Sequence, residues 1–429
     1  MPETRRKAAV IGGNRIPFAR ANGAYARASN LDMLTATLDG LAARFGLAGQ
    51  RLGEVAGGAV LKHSRDRDLT REAVLGSTLS PYTPAYDVQQ ACGTGFETVV
   101  LVANKIALGQ VDSGIAAGVD TASDAPVALN DDLRRVLMAL NAAKTVGARL
   151  AALRGLRPGQ IVPEIPRNAE PRTGLSMGEH AAITALDWQV GREEQDGLTV
   201  ASHRNLAAAY DRGFFDDLVT PFLGLTRDQN LRPDTSVEKL AKLKPVFGKG
   251  EGATMTAGNS TPLTDGASAV LLGSDEWASE HRLPVLAHVV DAETAAVDFV
   301  HGHDGLLTAP VYAVPRLLER NGLTLQDFDF YEIHEAFAST VLATLKAWED
   351  PAFAKERLGL DAPLGSIDRS KLNVAGSSLA TGHPFAATGG RIVATLAKLL
   401  HEKGAPARGL ISICAAGGQG VVAILEAAR

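Results

Sequence analysis

Residues 7–13, KAAVIGG, form a short unbroken apolar run of strand length. LDMLTATLDGLAARFGL, 31–47, follows with apolar positions at helical spacing, and EVAGGAVL, 54–61, reads as a second strand. PVLAHVVDA, APVYAVPRLLERNGL and FDFYEIHEAF repeat that order of strand, helix and strand from residue 284 onward. The next elements match as well. VQQACGTGFETVVLVANKIALGQ (88–110) and NVAGSSLATGHPFAATGGRIVATLAKLL (373–400) each read as strand, glycine-bearing turn and buried helix. GIAAGVDTAS and GLISICAAGG then supply a strand to each half.

The halves diverge after that strand. ISICAAGGQG turns directly into the closing strand VVAILEA, whereas the counterpart in the first half, GASAVLLGS, lies about 150 residues beyond its predecessor, far more than an ordinary connection. The pattern predicts an α/β fold of two pseudo-duplicated αβαβα halves with an inserted, mainly helical loop domain. Residues 1–125 plus 253–276 form the first half, 126–252 the insertion and 277–429 the second half.

Composition narrows the function classes. The chain has 429 residues, a formal net charge of −5 and 5% aromatic residues, so neither a basic nucleic-acid footprint nor a base-stacking surface is indicated. No apolar run reaches the length of about 18–20 residues that spans a bilayer. The N-terminus lacks the apolar segment of a secretory signal, and two distant cysteines suggest neither a disulfide framework nor a zinc site. A reducing cytoplasm is expected. One segment of the insertion is unusual: DDLRRVLMALNAAKTVGARLAALRGLRPGQ has no acidic residue from Leu133 to Arg157. It is either a solvated basic face over an apolar packing stripe, with Gly147 as its break, or a contact for an anionic ligand, a partner or a membrane surface.

Chemistry concentrates in the turns. Cys92 stands between a strand and a buried helix, where helix N-terminal N–H groups lower a thiol's pKa. Gly93 and Gly95 remove side chains that would obstruct a substrate or strain the turn; the alternative is an inert buried cysteine. His383, in ATGHP, occupies the equivalent turn of the second half and would face Cys92 across a pseudo-twofold axis, as a base for the thiol. Cys414, in ICAAGGQG, again ends a strand in a glycine-rich turn, and His334 and Glu335 emerge from the end of FYEI. HGHD at 301–304 lacks a third spaced ligand, and the phosphate-loop and dinucleotide fingerprints are absent.

Together with NRIPFAR, QACGTGFE, SMGEHA, REEQD, EKLAKLKPVF, TMTAGNSTPLTDGASAVLL, HEAFA, GHPFAATGGR and CAAGGQG, these residues resemble the thiolase family of acyl-CoA C-acyltransferases over nearly the whole chain. The resemblance implies Cys92 as acyl-carrying nucleophile, His383 as its general base and Cys414 as general acid and base at the acetyl α-carbon. It implies His383 and His334 as donors to the acetyl-CoA oxygen, with the N–H groups of Cys92 and Ala416 serving the acyl-enzyme oxygen. Met177 and Thr261 match positions that contact the pantetheine of coenzyme A, although packing and turn roles would equally account for them. The substrates implied are coenzyme A and acyl-CoA, with no permanently bound cofactor and no metal.

The resemblance also implies a homodimer or dimer of dimers. His334 in place of a more common asparagine, with the basic stretch 133–157, is similar to β-oxidation thiolases that work beside a hydratase/dehydrogenase subunit. It points to a partner or membrane contact there, and to degradative cleavage of 3-ketoacyl-CoA. Ala416 stands where a glycine is common, but only its N–H is needed. The alternatives are a biosynthetic acetoacetyl-CoA-forming thiolase and a non-catalytic lipid carrier of the same type. A carrier should lack one of Cys92, His383 and Cys414; a ketoacyl synthase would not need Cys414, and a cysteine hydrolase would use water instead of coenzyme A.

Overall fold

The computed structural model describes residues 6–164, 168–250 and 252–428. Its main strands are β1 (Ala8–Arg15), β2 (Glu54–Gly57), β3 (Ala85–Asp87), β4 (Ser113–Thr121), β5 (Thr264–Ser274), β6 (Ala287–Ala296), β7 (Phe330–Ile333), β8 (Arg408–Ala415) and β9 (Gln419–Ala427). The principal helices are α1 (Asn30–Phe45), α2 (Thr94–Ala107), α3 (Asp131–Ala142), α4 (Val146–Leu153), α5 (Met177–Asp187), α6 (Arg192–Asp211), α7 (Ala309–Asn321), α8 (Ala338–Glu349) and α9 (Ala387–Lys403). The strands lie side by side in the order β7-β8-β9-β6-β1-β5-β4-β2-β3.

That order is nearly palindromic. From β1 outward the pairings to β5, β4 and β2 run antiparallel, antiparallel and parallel. From β6 outward the pairings to β9, β8 and β7 repeat the sequence. The halves join where Ala8 to Val10 of β1 meet Val289 to Ala287 of β6. The duplication read from periodicity is therefore present in strand order and direction.

Alternation along the strands sets the layers, because successive side chains point to opposite faces. Val270 and Leu272 of β5, Ile411 and Ile413 of β8, and Val421, Ala423 and Leu425 of β9 point inward onto one core. They share it with Phe96, Val99, Val102 and Ile106 of α2 and with Ile392, Val393, Leu396 and Leu400 of α9. The intervening Ala269 and Leu271 face outward onto Leu34, Leu38 and Leu41 of α1. Val422 and Ile424 face Val311, Val314 and Leu317 of α7 and Val341, Leu345 and Trp348 of α8. Helices α2 and α9 are thus the inner layer, apolar nearly all round as a twice-buried helix must be.

One element of the repeat is missing. NVAGSS, read as a strand, makes no ladder; Leu372 forms a single bridging pair with Tyr331. Asn373 then turns the chain at φ 47 and Gly376 at φ 78, which ends any extended run.

The insertion leaves from β4 and returns at β5. Helix α5 begins with a reciprocal cap in which Ser176 and Glu179 satisfy each other's backbone N–H. The lobe is pinned to β1 by a buried bidentate pair: Arg15 Nη1 and Nη2 donate to Asp228 Oδ1 and Oδ2 at 2.6 and 2.7 Å. The basic stretch departs from expectation. It breaks at residues 143–145, where Thr145 caps α4, and Gly147 lies inside that helix. No residue of α3 or α4 is buried, so the apolar stripe of Leu137, Met138, Val146, Leu150 and Leu153 faces outward.

Candidate active site

Cys92 is presented by a strained elbow. After β3 the chain reaches Ala91 at φ 46, a left-handed conformation that costs a non-glycine residue about 1–3 kcal/mol. Thr94 compensates by bonding both sides of the bend: its Oγ1 donates to Ala91 O at 2.7 Å and accepts from Gln90 N at 2.8 Å. Helix α2 starts at Thr94 and leaves Cys92 partly exposed at its mouth. The flanking glycine has a different purpose from the one expected. A Cβ on Gly95 would meet the Ala386 carbonyl oxygen at 2.1 Å, so this glycine lets α2 approach the start of α9; it clears backbone, not substrate.

His383 comes from the other half, as the symmetry required. Gly382 at φ 97 swings the chain out of the short helix Ser378–Thr381, and His383 N donates to Thr264 Oγ1 at 2.8 Å. Its Nδ1 faces Thr388 Oγ1 at 2.6 Å. His334 follows β7 and is held by its N–H donating to Ser412 O at 2.8 Å. The His334 Nδ1 lies 2.9 Å from Ser378 Oγ. The two imidazoles are 4.2 Å apart between ring centres, and among the described residues the Nε2 atom of each is buried without a partner. A ligand atom from each of Cys92, His334 and His383 lies within 4.8 Å of the others.

Cys414 ends β8 and is buried. Past it, Gly417 and Gly418 adopt φ 79 and 71 and turn the chain so that the N–H of Ala416, like that of Cys92 itself, faces the Cys92 sulfur. The turn is tied to the insertion, since Gly417 N donates to Glu170 Oε1 at 2.8 Å. Nothing in NAEPRTG marked Glu170, which is 8% exposed.

Electrostatics depart from the expected lowered thiol. Burial pushes the Cys92 thiol up to about 12, with the Ala416 and Cys92 N–H groups opposing the rise. Burial, and then the Cys92 charge, hold the Cys414 thiol above its ordinary value. Burial lowers His383 to about 3, assisted by the Arg391 cation. His334 lies well below its usual value, through burial and then the charges of His383 and Arg391. At rest the centre is neutral: two protonated thiols and two neutral imidazoles. A polarised base next to the thiol, in place of a standing thiolate, is what this environment favours.

A cavity of about 290 Å³ opens at Cys92, with Val60, Leu61, Met177, Leu263, Phe385 and Ala416 among its walls. Met177 therefore reaches the site. Thr261 is not among the cavity's walls; its N–H donates to Ala336 O at 3.1 Å and its hydroxyl to Ser378 O at 2.8 Å. Glu335 also turns away and braces the scaffold, accepting from Ser202 Oγ, Asn373 Nδ2 and Leu379 N. The arrangement suits attack by sulfur on a carbonyl, with paired backbone N–H groups for one oxygen and imidazole nitrogens for another.

Comparison with known proteins gives one answer. Residues 8–276 match the family described as Thiolase, N-terminal domain, and residues 283–427 match Thiolase, C-terminal domain. The chain is 38% identical over 424 residues to a 3-ketoacyl-CoA thiolase of Yersinia enterocolitica, spanning 97% of this chain and 96% of that protein. It is 38% identical over 431 residues to a 3-ketoacyl-CoA thiolase of Pectobacterium atrosepticum, spanning 99% and 98%. The Bacillus anthracis acetyl-CoA acetyltransferase superposes with a TM-score of 0.81 at 28% identity, over 99% of this chain and 100% of that one. Human mitochondrial 3-ketoacyl-CoA thiolase superposes with a TM-score of 0.81 at 26% identity, over 99% of each chain.

Proposed function

The chain belongs to the thiolase family and is an acyltransferase, and from that premise we propose that it cleaves 3-ketoacyl-CoA with coenzyme A, releasing acetyl-CoA and a shortened acyl-CoA. The observation that carries this reading is the cluster of the Cys92 thiol with two imidazole Nε2 atoms that have no partner among the described residues, beside an apolar cavity walled by Cys92 and Ala416 and with the Cys414 thiol near enough to feel a charge on Cys92.

In the proposed sequence His383 takes the Cys92 proton as the sulfur attacks the 3-keto carbon. Burial disfavours a separated thiolate–imidazolium pair, so transfer and attack are coupled. The N–H groups of Cys92 and Ala416 stabilise the resulting oxyanion. The bond between the α-carbon and the keto carbon breaks, and the electron pair passes into the acetyl-CoA enolate. His383 and His334 donate to that enolate's oxygen while Cys414 protonates its carbon. Cys414 then withdraws the proton of incoming coenzyme A, whose sulfur displaces the acyl group from Cys92, and His383 returns its proton to the departing Cys92 sulfur. Coenzyme A enters only as substrate, and the proposed steps require neither a metal nor a permanently bound cofactor.

The similarity to 3-ketoacyl-CoA thiolases at 38% identity over nearly the whole chain supports a degradative role in β-oxidation over acetoacetyl-CoA synthesis. Among the described residues no helix is long and apolar enough to cross a membrane. A cytoplasmic homodimer or dimer of dimers is the assembly proposed. The outward apolar and basic face of α3 and α4 is assigned to a partner subunit or a membrane surface. Met177 is assigned to the acyl and pantetheine path, and Thr261 is kept as a looser coenzyme A contact. Turnover across a ladder of 3-ketoacyl-CoA chain lengths tests the reading. Coenzyme A-dependent loss of ketoacyl thioester and a covalent acyl group on Cys92 are expected; full turnover by Cys92→Ser, or product without coenzyme A, overturns it.

A further inference from the structure

The two histidines of the centre differ in what their second nitrogen faces. Arg391, on the buried side of α9, directs Nη2 at Ser378 Oγ (3.0 Å) and Ser377 Oγ (3.2 Å). A guanidinium has donors and no acceptor, so the Ser378 oxygen accepts from it. Among the described residues the other partner of that hydroxyl is His334 Nδ1, at 2.9 Å. Among the described residues His334 Nδ1 is also the one acceptor for the Ser378 proton; the oxygen's second lone pair could take an Nδ1–H only by leaving that buried proton unpaired, so the hydroxyl donates to His334 Nδ1. A neutral imidazole that accepts at Nδ1 carries its proton at Nε2, and the His334 Nε2 is the atom left buried and unpartnered at the centre. Neutrality of the ring follows from its burial beside the Arg391 cation.

His383 has no such control. Its Nδ1 faces the Thr388 hydroxyl at 2.6 Å, which has no other partner among the described residues and so either donates or accepts. The ring can present a bare Nε2 to a thiol proton and, once protonated, present Nε2–H while Nδ1–H turns to Thr388 Oγ1.

We propose that Arg391, acting through the Ser378 hydroxyl, locks His334 in its Nε2–H tautomer and makes it the fixed donor of the centre, while His383 is left free to exchange. Arg391 and Ser378 are positioning residues, since both act through the ring of His334. The proposal rests on the preceding reading of the site for its catalytic meaning, but its structural content is separately measurable.

The test is nitrogen NMR of enzyme labelled at histidine with ¹⁵N, with the His334 signals assigned by their loss in His334→Asn. In the wild-type enzyme His334 should show a pyrrole-type Nε2 and a pyridine-type Nδ1 that do not titrate through the neutral range. Ser378→Ala should move the ring toward the Nδ1–H form or a mixture, and Ser378→Thr should restore it. Turnover should fall about tenfold in Ser378→Ala, the equivalent of about 1.4 kcal/mol of transition-state stabilisation, with little change in KM. Arg391→Lys, which keeps a buried donor, should retain the wild-type tautomer. A wild-type Nδ1–H tautomer, or an unchanged tautomer in Ser378→Ala, overturns the lock. Failure of thiolysis with the tautomer pattern intact overturns the functional reading and leaves the lock standing.

Discussion

Gly95→Ala is the sharpest probe of how the two halves meet. The added methyl would stand 2.1 Å from the Ala386 carbonyl oxygen and 3.3 Å from its carbon. Real Cβ contacts essentially never fall below 3.0 Å, so α2 and the start of α9 must part by roughly 0.9 Å. The neighbour is backbone, so no flexible side chain can absorb the movement. Overpacking of this kind costs about 1–3 kcal/mol, which a thermal melt should register as a fall of a few degrees. The functional cost should be larger. Cys92 rides at the mouth of α2 and His383 lies just ahead of Ala386, so the parting acts between sulfur and base. A misplacement near 1 Å reduces turnover by about 100-fold. Thiolysis of a 3-ketoacyl-CoA, read as kcat and KM separately, should lose kcat and largely keep KM. Gly147→Ala is the control: it lies in exposed α4 with nothing within 4 Å, and should raise stability by about 0.5–1 kcal/mol without touching activity. Wild-type turnover and melting in Gly95→Ala would refute the claim that this contact sets the distance between nucleophile and base.

His383 sits at about 3, below its usual 6.5, so the unfolded chain binds the extra proton and stability falls as pH drops from 6.5 toward 3. His383→Asn should flatten that limb by up to about 1.4 kcal/mol per pH unit in denaturant titrations; an unchanged slope counts against the buried neutral ring. Cys92 has the opposite sense: raised from 9.0 to about 12, it costs stability as pH climbs between those values, and its alkylation by iodoacetamide should show no thiolate plateau near neutrality. Glu170→Ala strands the Gly417 N–H, a loss worth about 1–3 kcal/mol, and should lower kcat at least tenfold, with Glu170→Gln intermediate; equal activity in all three would separate Glu170 from the turn.

What was legible in the sequence is what local pattern encodes. The succession of strands and helices along the chain and its repetition followed from apolar runs, whereas the side-by-side order in the sheet did not; Cys92, His383 and Cys414 stood out as scarce reactive residues in glycine-bearing turns. Convergence of Cys92 and His383 followed from symmetry. Hidden features were those fixed by contacts distant in the chain. Glu170 reaches Gly417 across 247 residues, and Ser378 reaches His334 across 44. Ala91 carries no signature of its left-handed backbone, since alanine is not a residue that favours it. Arg391 and Thr388 lie in the GHPFAATGGR motif, yet only packing shows which ring each one serves. The depth of burial was also invisible, and it reversed the expected shift of the Cys92 thiol: desolvation outweighs the helix terminus.

The duplication explains why the centre is assembled from both halves. Strand alternation puts the two contributions on opposite faces. Val421 and Ala423 of β9 point inward, so Gly420 and its partner Cys414 point outward. Val270 and Leu272 of β5 also point inward, and with them Gly266 and its partner Asp120. Each serves the opposite half. Cys414 lies close enough to Cys92 for a charge on that sulfur to raise its thiol. Asp120 accepts from Ala386 N at 2.8 Å, just beyond His383, and from Val60 N and Leu61 N at 3.0 and 2.8 Å. A carboxylate in place of Cys414 would put a second buried charge near Cys92 and raise its thiol further. A thiol in place of Asp120 would leave the Ala386 N–H without its acceptor. Each catalytic turn is thus supported by a residue of the other half, and the two supports cannot exchange side chains without loss at both.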